Sequence, residues 1–459
     1  MDTIEQDLIR RKLLVELNIN DINNYDLLND CYFGSGGFYN KNYLIKSPRE
    51  KDKDYENRKK IANYRNIFAP VVDSLNDPIF SHKVARSSEG NDTIYKEFIN
   101  NADTAGASLT NVIQEIDLKA EILGCVFCFM DNFDSDIDTE LEALNDRAFP
   151  YVFYVEPRNI KSYAFDELGR LIFLKYQNVT SSQSLLNFGV SEIETTYRSY
   201  YIKNGTWYTC QTDGSGNLTG EELETSAPYM YSTTKKWNKQ RLPLSRHLDT
   251  ATTSIAIYNQ NSLINQQQFT NTFNTLVMYG EKGNINLEVD STLFIPEGNE
   301  APFYLSPDVA TSDSIAKDRT EVQSEVMKVN NLSIQNSSTQ QSAESKRWND
   351  KKRQEKLSKK VNSIMDLERW VSNSFAFYFE GSLTSNVIYN ETFDFFTTSE
   401  DLEDIIKMEE AGFSQETQNK ARAMFITKLF NQLNSGEVDQ YENAEINNEK
   451  VIETSIDLE

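Results

Sequence analysis

Between Lys346 and Lys360 the chain sets Lys346, Arg347, Lys351, Lys352, Arg353, Lys356, Lys359 and Lys360 against only Asp350 and Glu355. The chain as a whole has net charge -24, so this basic run is an island. Its spacing predicts a cationic helix, suited to weak, salt-sensitive contact with a polyanion. Asn330 to Ser342, just ahead of it, holds Asn, Ser, Gln and Thr and no charged residue. A polar loop feeding a basic helix suits a surface past which a polyanion moves. The bland reading is a solvated helix face, or one that pairs with an acidic neighbour, with two or three of the cations left to meet nucleic acid.

Other residues of chemical character carry less. Cys125 and Cys128 form one Cys-x-x-Cys with no second pair at zinc spacing, which favours two core cysteines over a metal site. Asp131, Asp134, Asp136, Asp138, Glu140 and Glu142 could surround a cation, but a calcium loop requires Gly where Thr139 stands and Glu where Asn145 stands. A solvated acidic loop is expected. Gly34 to Gly37 lacks the Lys-Ser/Thr ending of a phosphate loop and reads as a flexible turn. His82 and His247 are the two histidines, and neither adjoins a nucleophile motif. No catalytic residue, metal ligand or cofactor site is predicted.

At 459 residues and 39% hydrophobic, the chain can bury a sizeable core. The excess of Asp and Glu over Lys and Arg, 70 against 46, argues against a general nucleic-acid binder, so any such contact should be local. Met1-Asp-Thr-Ile-Glu is not a signal peptide, no apolar run is long enough to span a bilayer, and four scattered cysteines suit a reducing cytoplasm.

The segments around the basic run follow an α+β order. Apolar periodicity predicts helices over Asp2 to Leu17, Tyr55 to Leu75 with Pro70 as a kink or end, Thr93 to Ile99, and Ser108 to Leu123 stopping at Gly124. Cys125 to Met130 and Tyr151 to Val155 read as strands buried on both faces. Two hairpins follow, the second turning at Asn204-Gly205. Thr250 to Gly280 contains no charged residue and reads as a single rod of roughly 45 Å that needs polar neighbours. Asn284 to Ile295 and Ala301 to Leu305 are extended, and Pro307 with Asp308 opens a helix to Val329. Ala343 to Phe379 is the longest helix, basic first and apolar later. Val387 to Phe396 alternates as a strand, Leu402 to Met408 and Gln415 to Leu433 are helical, and the remainder is acidic and polar.

This order resembles the portal proteins, the head-to-tail connectors of tailed bacteriophages. The matching stretches are Asn57-Arg-Lys-Lys-Ile-Ala-Asn-Tyr, Tyr154-Val-Glu-Pro-Arg-Asn-Ile-Lys-Ser-Tyr, Ser254-Ile-Ala-Ile-Tyr-Asn-Gln-Asn-Ser and Ala343-Glu-Ser-Lys. The resemblance covers about residues 50 to 435. It implies an N-terminal α/β wing over 1–247, a first stem helix over 248–280, a clip over 281–306 and a second stem helix over 307–329. A tunnel loop over 330–342, a long helix and wing return strand over 343–398, crown-like helices over 399–435 and an acidic tail over 436–459 complete it.

The same resemblance implies a non-enzymatic ring of twelve copies at the portal vertex of a virion, assembled in the host cytoplasm. Double-stranded DNA would pass through it during packaging and ejection. Terminase, the major capsid protein and tail or adaptor proteins would be partners. Asn331, Ser333, Gln335, Asn336, Ser337, Ser338, Thr339, Gln340 and Gln341 would line the channel, with Lys346, Arg347, Lys351 and Lys352 as basic rings. A magnesium-dependent nucleic-acid-processing enzyme and another virion structural protein are the alternatives.

Overall fold

A computed structural model describes residues 19–81, 84–89, 93–132, 147–182, 192–213, 218–234, 241–272, 275–279, 292–295, 303–305, 310–330, 343–378, 384–389, 405–408, 411–415 and 417–422. The N-terminal helices are α1 (Ile19–Phe33), the single turn α2 (Gly36–Tyr39), α3 (Asp52–Ile61) and α4 (Ala69–Phe80). Tyr55 to Leu75 is therefore two helices and not one. Pro70 sits in the first turn of α4, where its missing N–H costs nothing. Asn66 ends the break between them by accepting from the amides of Phe68 and Ala69 at 3.1 and 2.9 Å. Cys31 lies inside the first helix, α1, ahead of the turn. Gly34 to Gly37 is held by Asp30, whose carboxylate accepts from the Gly37 amide at 2.9 Å and the Tyr43 hydroxyl at 2.7 Å.

Next come β1 (Ala85–Glu89), α5 (Thr93–Asn100) and α6 (Leu109–Leu123). Ser108 caps α6 by accepting from the Asn111 amide, and the helix ends at Gly124 with φ 98°. Strands β2 (Cys125–Asp131) and β3 (Tyr151–Val155) follow. Only β2 is buried along its length. β3 is an edge strand, because the sheet order is β3, β2, and then β9 (Tyr229–Ser232) on the other side, and only Val152 and Val155 of it are buried.

A second sheet has five antiparallel strands in sequence order: β4 (Ile160–Phe165), β5 (Leu171–Ser182), β6 (Glu192–Lys203), β7 (Thr206–Thr212) and β8 (Leu223–Glu224). Asn204 and Gly205 both take positive φ, 54° and 89°, as a two-residue hairpin turn with the strands' twist requires.

The uncharged stretch divides into α7 (Leu248–Thr272) and a strand, β10 (Thr275–Tyr279). The rod is thus about 37 Å long, shorter than predicted, because Leu276-Val-Met-Tyr pairs with neighbours instead of continuing the helix. β10 is central, parallel to β11 (Thr292–Ile295) and antiparallel to β12 (Phe303–Leu305). Helix α8 (Ala310–Val329) returns antiparallel along α7. Gln260 donates to Asp318 at 2.6 Å and Arg319 to Asn261 at 2.9 Å, while Ile257 and Val326 share an apolar cluster with Ile67 and Val71. The expected cap at Pro307 and Asp308 lies outside the described residues.

Helix α9 (Ala343–Tyr378) runs 36 residues. Leu357, Val361, Ile364, Leu367, Val371 and Phe375 bury its inner face in the main core with α5, α6 and β2. β13 (Thr384–Ile388) then pairs antiparallel with β1; it starts earlier than the predicted strand Val387 to Phe396, whose positions 390–396 lie outside the described residues. Helical turns occur at 405–408 and within 415–422; the rest of the predicted crown helices and the acidic tail lie outside the described residues. No described helix is long and apolar enough to cross a membrane.

Candidate nucleic-acid interface

The basic half of α9 is not one solvated face. Lys351, Lys352, Lys356 and Lys359 are exposed, with Glu355 among them, whereas Arg353 is half-buried and Lys360 is buried. Helical periodicity makes this division: Lys360 is one residue before Val361 and three after Leu357, on the core side. Arg353 donates to the Ser74 carbonyl at 3.2 Å. Partial desolvation first, and then the Arg246 cation, hold the Lys356 ammonium below the usual lysine range. Lys351 and Lys352 are thus the described side chains of the predicted set that are presented outward. Lys346 and Arg347 belong to the first turns of α9, and their side chains lie outside the described residues, as do Asn331 to Gln341 entirely.

Lys360 instead closes a buried ionic cluster. Its Nζ lies 2.9 Å from Asp117 Oδ2 and 3.0 Å from Glu121 Oε2, both on α6, and it donates to the Leu75 carbonyl at 3.0 Å. Glu121 also meets Arg246 at 2.9 Å and His247 at 2.8 Å. Asp117 accepts from the Tyr231 hydroxyl and the Asn76 amide, each at 2.7 Å. Five parts of the fold meet here: α4, α6, β9, the residues leading into α7, and α9.

Burial alone would raise the Glu121 carboxyl, but Lys360, His247 and Arg246 together hold it well below the ordinary range. Asp117, with fewer cations, is pushed up by burial and by its neighbour Glu121. Lys360 is penalised by burial yet raised by both carboxylates. The sign for Glu121 follows: a depressed carboxyl contributes stability above its unfolded pKa of about 4.3, and that contribution is lost as pH falls through the folded value. The excess stability of wild type over Glu121→Gln is therefore expected to shrink on acidification from pH 7, in urea melts followed by circular dichroism. A difference that stays constant with pH would contradict it.

The predicted set omits Asp117 and Glu121. Their signal is visible: two acids one turn apart, bordering the apolar stripe of Leu109, Val112, Ile113, Ile116 and Ala120, require a buried cation. The basic run supplies it.

The other candidates fall into place. Cys125 and Cys128 lie on one strand at a spacing that points them to opposite faces, and they enter different core clusters. They cannot share a metal ion, and all four cysteines are free and buried. His247 is buried against Glu121, while His82 lies outside the described residues. Of the acidic loop only Asp131 is described, paired with Arg198 at 2.7 Å; Asp134, Asp136, Asp138, Glu140 and Glu142 lie outside. Among the described residues, no group of three His, Cys, Asp or Glu is placed to hold a metal ion.

No family model matches the chain, and no curated protein matches it. Among solved structures it is similar to a chain in the virion of a native gene transfer agent particle. The TM-score is 0.41 at 7% identity, covering 86% of this chain and 97% of that one. It is also similar to a chain in the neck of a native gene transfer agent particle computed with C12 symmetry, with TM-score 0.37 at 8% identity, covering 82% and 93%.

Proposed function

We propose that this chain is a structural protein of a virion, and specifically the portal: a ring at one capsid vertex through which double-stranded DNA is packaged and ejected. The observation that carries the reading is the central excursion. An α/β body emits α7, a three-stranded sheet caps it, α8 returns antiparallel, and α9 runs back across the body to deliver β13 to β1. The face of α7 fits side-by-side copies. It holds no charge between Thr250 and Thr272, yet it leaves Leu263 and Phe269 42% and 62% exposed, which neighbouring helices would cover.

In this reading α7 and α8 are the stem and β10 to β12 the clip. Asn331 to Gln341 form the loop facing the duplex, and Lys346, Arg347, Lys351 and Lys352 form narrow basic bands. An otherwise acidic bore repels phosphate, so the duplex slides, and the bands hold it weakly. Twelve copies, and docking of terminase and tail or adaptor proteins at the clip, are what the portal resemblance implies.

Negative-stain images of the purified protein test the reading. A ring with a central hole of duplex width supports it; a stable monomer or a closed shell overturns it. Replacing Lys346, Arg347, Lys351 and Lys352 together by Gln should leave assembly intact and reduce packaged genome per particle. Full genomes in those particles would remove the DNA role of the four cations.

A further inference from the structure

A second basic island lies far from α9 in sequence. Residues 41–65 hold nine Lys and Arg against four Asp and Glu, and three of those four carboxylates are already engaged. Glu50 pairs with Arg58 at 2.7 Å, Glu56 with Lys59 at 2.9 Å, and Asp52 with Lys46. Lys41 donates to the Ala62 carbonyl at 2.9 Å. Arg49, Lys51, Lys53, Lys60 and Arg65 remain, all exposed, with no ion pair among the described residues.

The support under them is rigid. Tyr55 and Arg58 form the inner face of α3, continued by Ala62 just past its end, and Arg58, 1% exposed, grips Glu50 with two nitrogens and Ser262 of α7 at 2.9 Å. Asn259 of α7 accepts from the Ile45 amide at 2.8 Å, and Gln266 donates to the Asp54 carbonyl. Lys53 and Lys60, two turns apart, consequently share the outer face of α3. The helix that carries Lys53 and Lys60 is thus anchored along α7, on a protein whose net charge is strongly negative.

We propose that this cationic rim is the docking surface for the acidic C-terminal stretch of the chain itself, residues 437–459. That stretch carries eight carboxylate side chains against the single cation Lys450, and every copy supplies one such stretch per rim. Exposed Asp52, Asp54 and Glu56 stand among the rim's cations. A duplex, with a charge every ~1.7 Å along a stiff rod, would be driven onto those carboxylates. A peptide with separated side chains can place its carboxylates between them. The inference does not rest on the portal reading, since a monomer could satisfy it.

The test is zero-length carbodiimide coupling of the full-length protein, read by mass spectrometry. The expected result is amide links from Lys51, Lys53 and Lys60 to carboxylates of 437–459. Their yield should fall at least about fivefold on raising salt from about 0.05 to 0.5 M, where the screening length drops to a few ångströms. It should also fall in the double variant Arg49→Gln/Arg65→Gln, which removes attraction and no coupling site. Mixed isotope-labelled and unlabelled copies tell whether the stretch comes from the same or a neighbouring copy, and both count for the proposal. Absent links, links spread evenly over other exposed lysines, or salt-insensitive links overturn it. So does the opposite partition, in which Lys51→Gln/Lys53→Gln/Lys60→Gln weakens binding of a labelled 30-base-pair duplex while no tail links form.

Discussion

Lys360→Met is expected to lower unfolding free energy by about 3 kcal/mol, measured as a shifted urea midpoint. Removing one partner of a buried ion pair typically costs ~3–5 kcal/mol, because the charge left behind is desolvated without compensation. The low end applies because Arg246 and His247 still meet Glu121, and Tyr231 and Asn76 still donate to Asp117. A triple variant, Asp117→Asn/Glu121→Gln/Lys360→Met, separates loss of charge balance from loss of packing. With no charge left stranded it should recover a substantial part of the deficit. A Lys360→Met protein within about 1 kcal/mol of wild type, in the range of surface ion pairs, would mean the cluster is solvated and the account of α9 is wrong.

Gly124→Ala is expected to be at least as damaging. Gly124 joins α6 to β2 at φ 98°, a region costly for any residue with a Cβ. An added Cβ would also lie 2.5 Å from the Leu244 carbonyl carbon and from the Ser245 amide nitrogen. Those are backbone atoms of the strap that leads to Arg246, His247 and α7, and they have no rotamer to yield. We expect a loss on the order of 4 kcal/mol, in the range reserved for combined strain and overpacking. Gly205→Ala is the control: its φ is 89°, but nothing lies within 4 Å of the added carbon, so it carries the conformational cost alone, about 1–2 kcal/mol. Equal losses in the two variants would show that contact with 244–245 contributes nothing.

What the sequence made legible depended on whether local pattern decided the outcome. Helix α6, its Ser108 cap, its stop at Gly124 and the Asn204-Gly205 hairpin were readable because capping, positive φ and turn chemistry are local. The long α9 and the apolar order Ile364, Leu367, Val371 and Phe375 were readable from helical period. The misreadings came where tertiary pairing overrode period. The uncharged rod stops at Thr272 because the residues after it pair as β10, and Tyr55 to Leu75 divides because Asn66 caps a second helix. β3 was misread as doubly buried because edge position cannot be seen in five apolar residues. Within the candidate interface, a charge count could not separate Lys351 and Lys352 from Lys360. The helical phase set by Leu357 and Val361 turns Lys360 inward, where the α6 acids, distant in sequence, receive it.

The pairing of β1 with β13, reinforced by Arg86 and Glu368 at a separation of 282 positions, has a consequence for biosynthesis. At about 5–20 residues per second a ribosome needs roughly 15–55 s to traverse that interval. From their emergence until α9 follows, the apolar surfaces of α5 and β2 stay bare, and β1 keeps an open hydrogen-bonding edge. The excursion formed by α7, the three-stranded cap and α8 must emerge before the body that bears it can close. The nascent polypeptide is therefore most prone to aggregate midway through translation, and a chaperone that shields that interval would raise the yield of native protein.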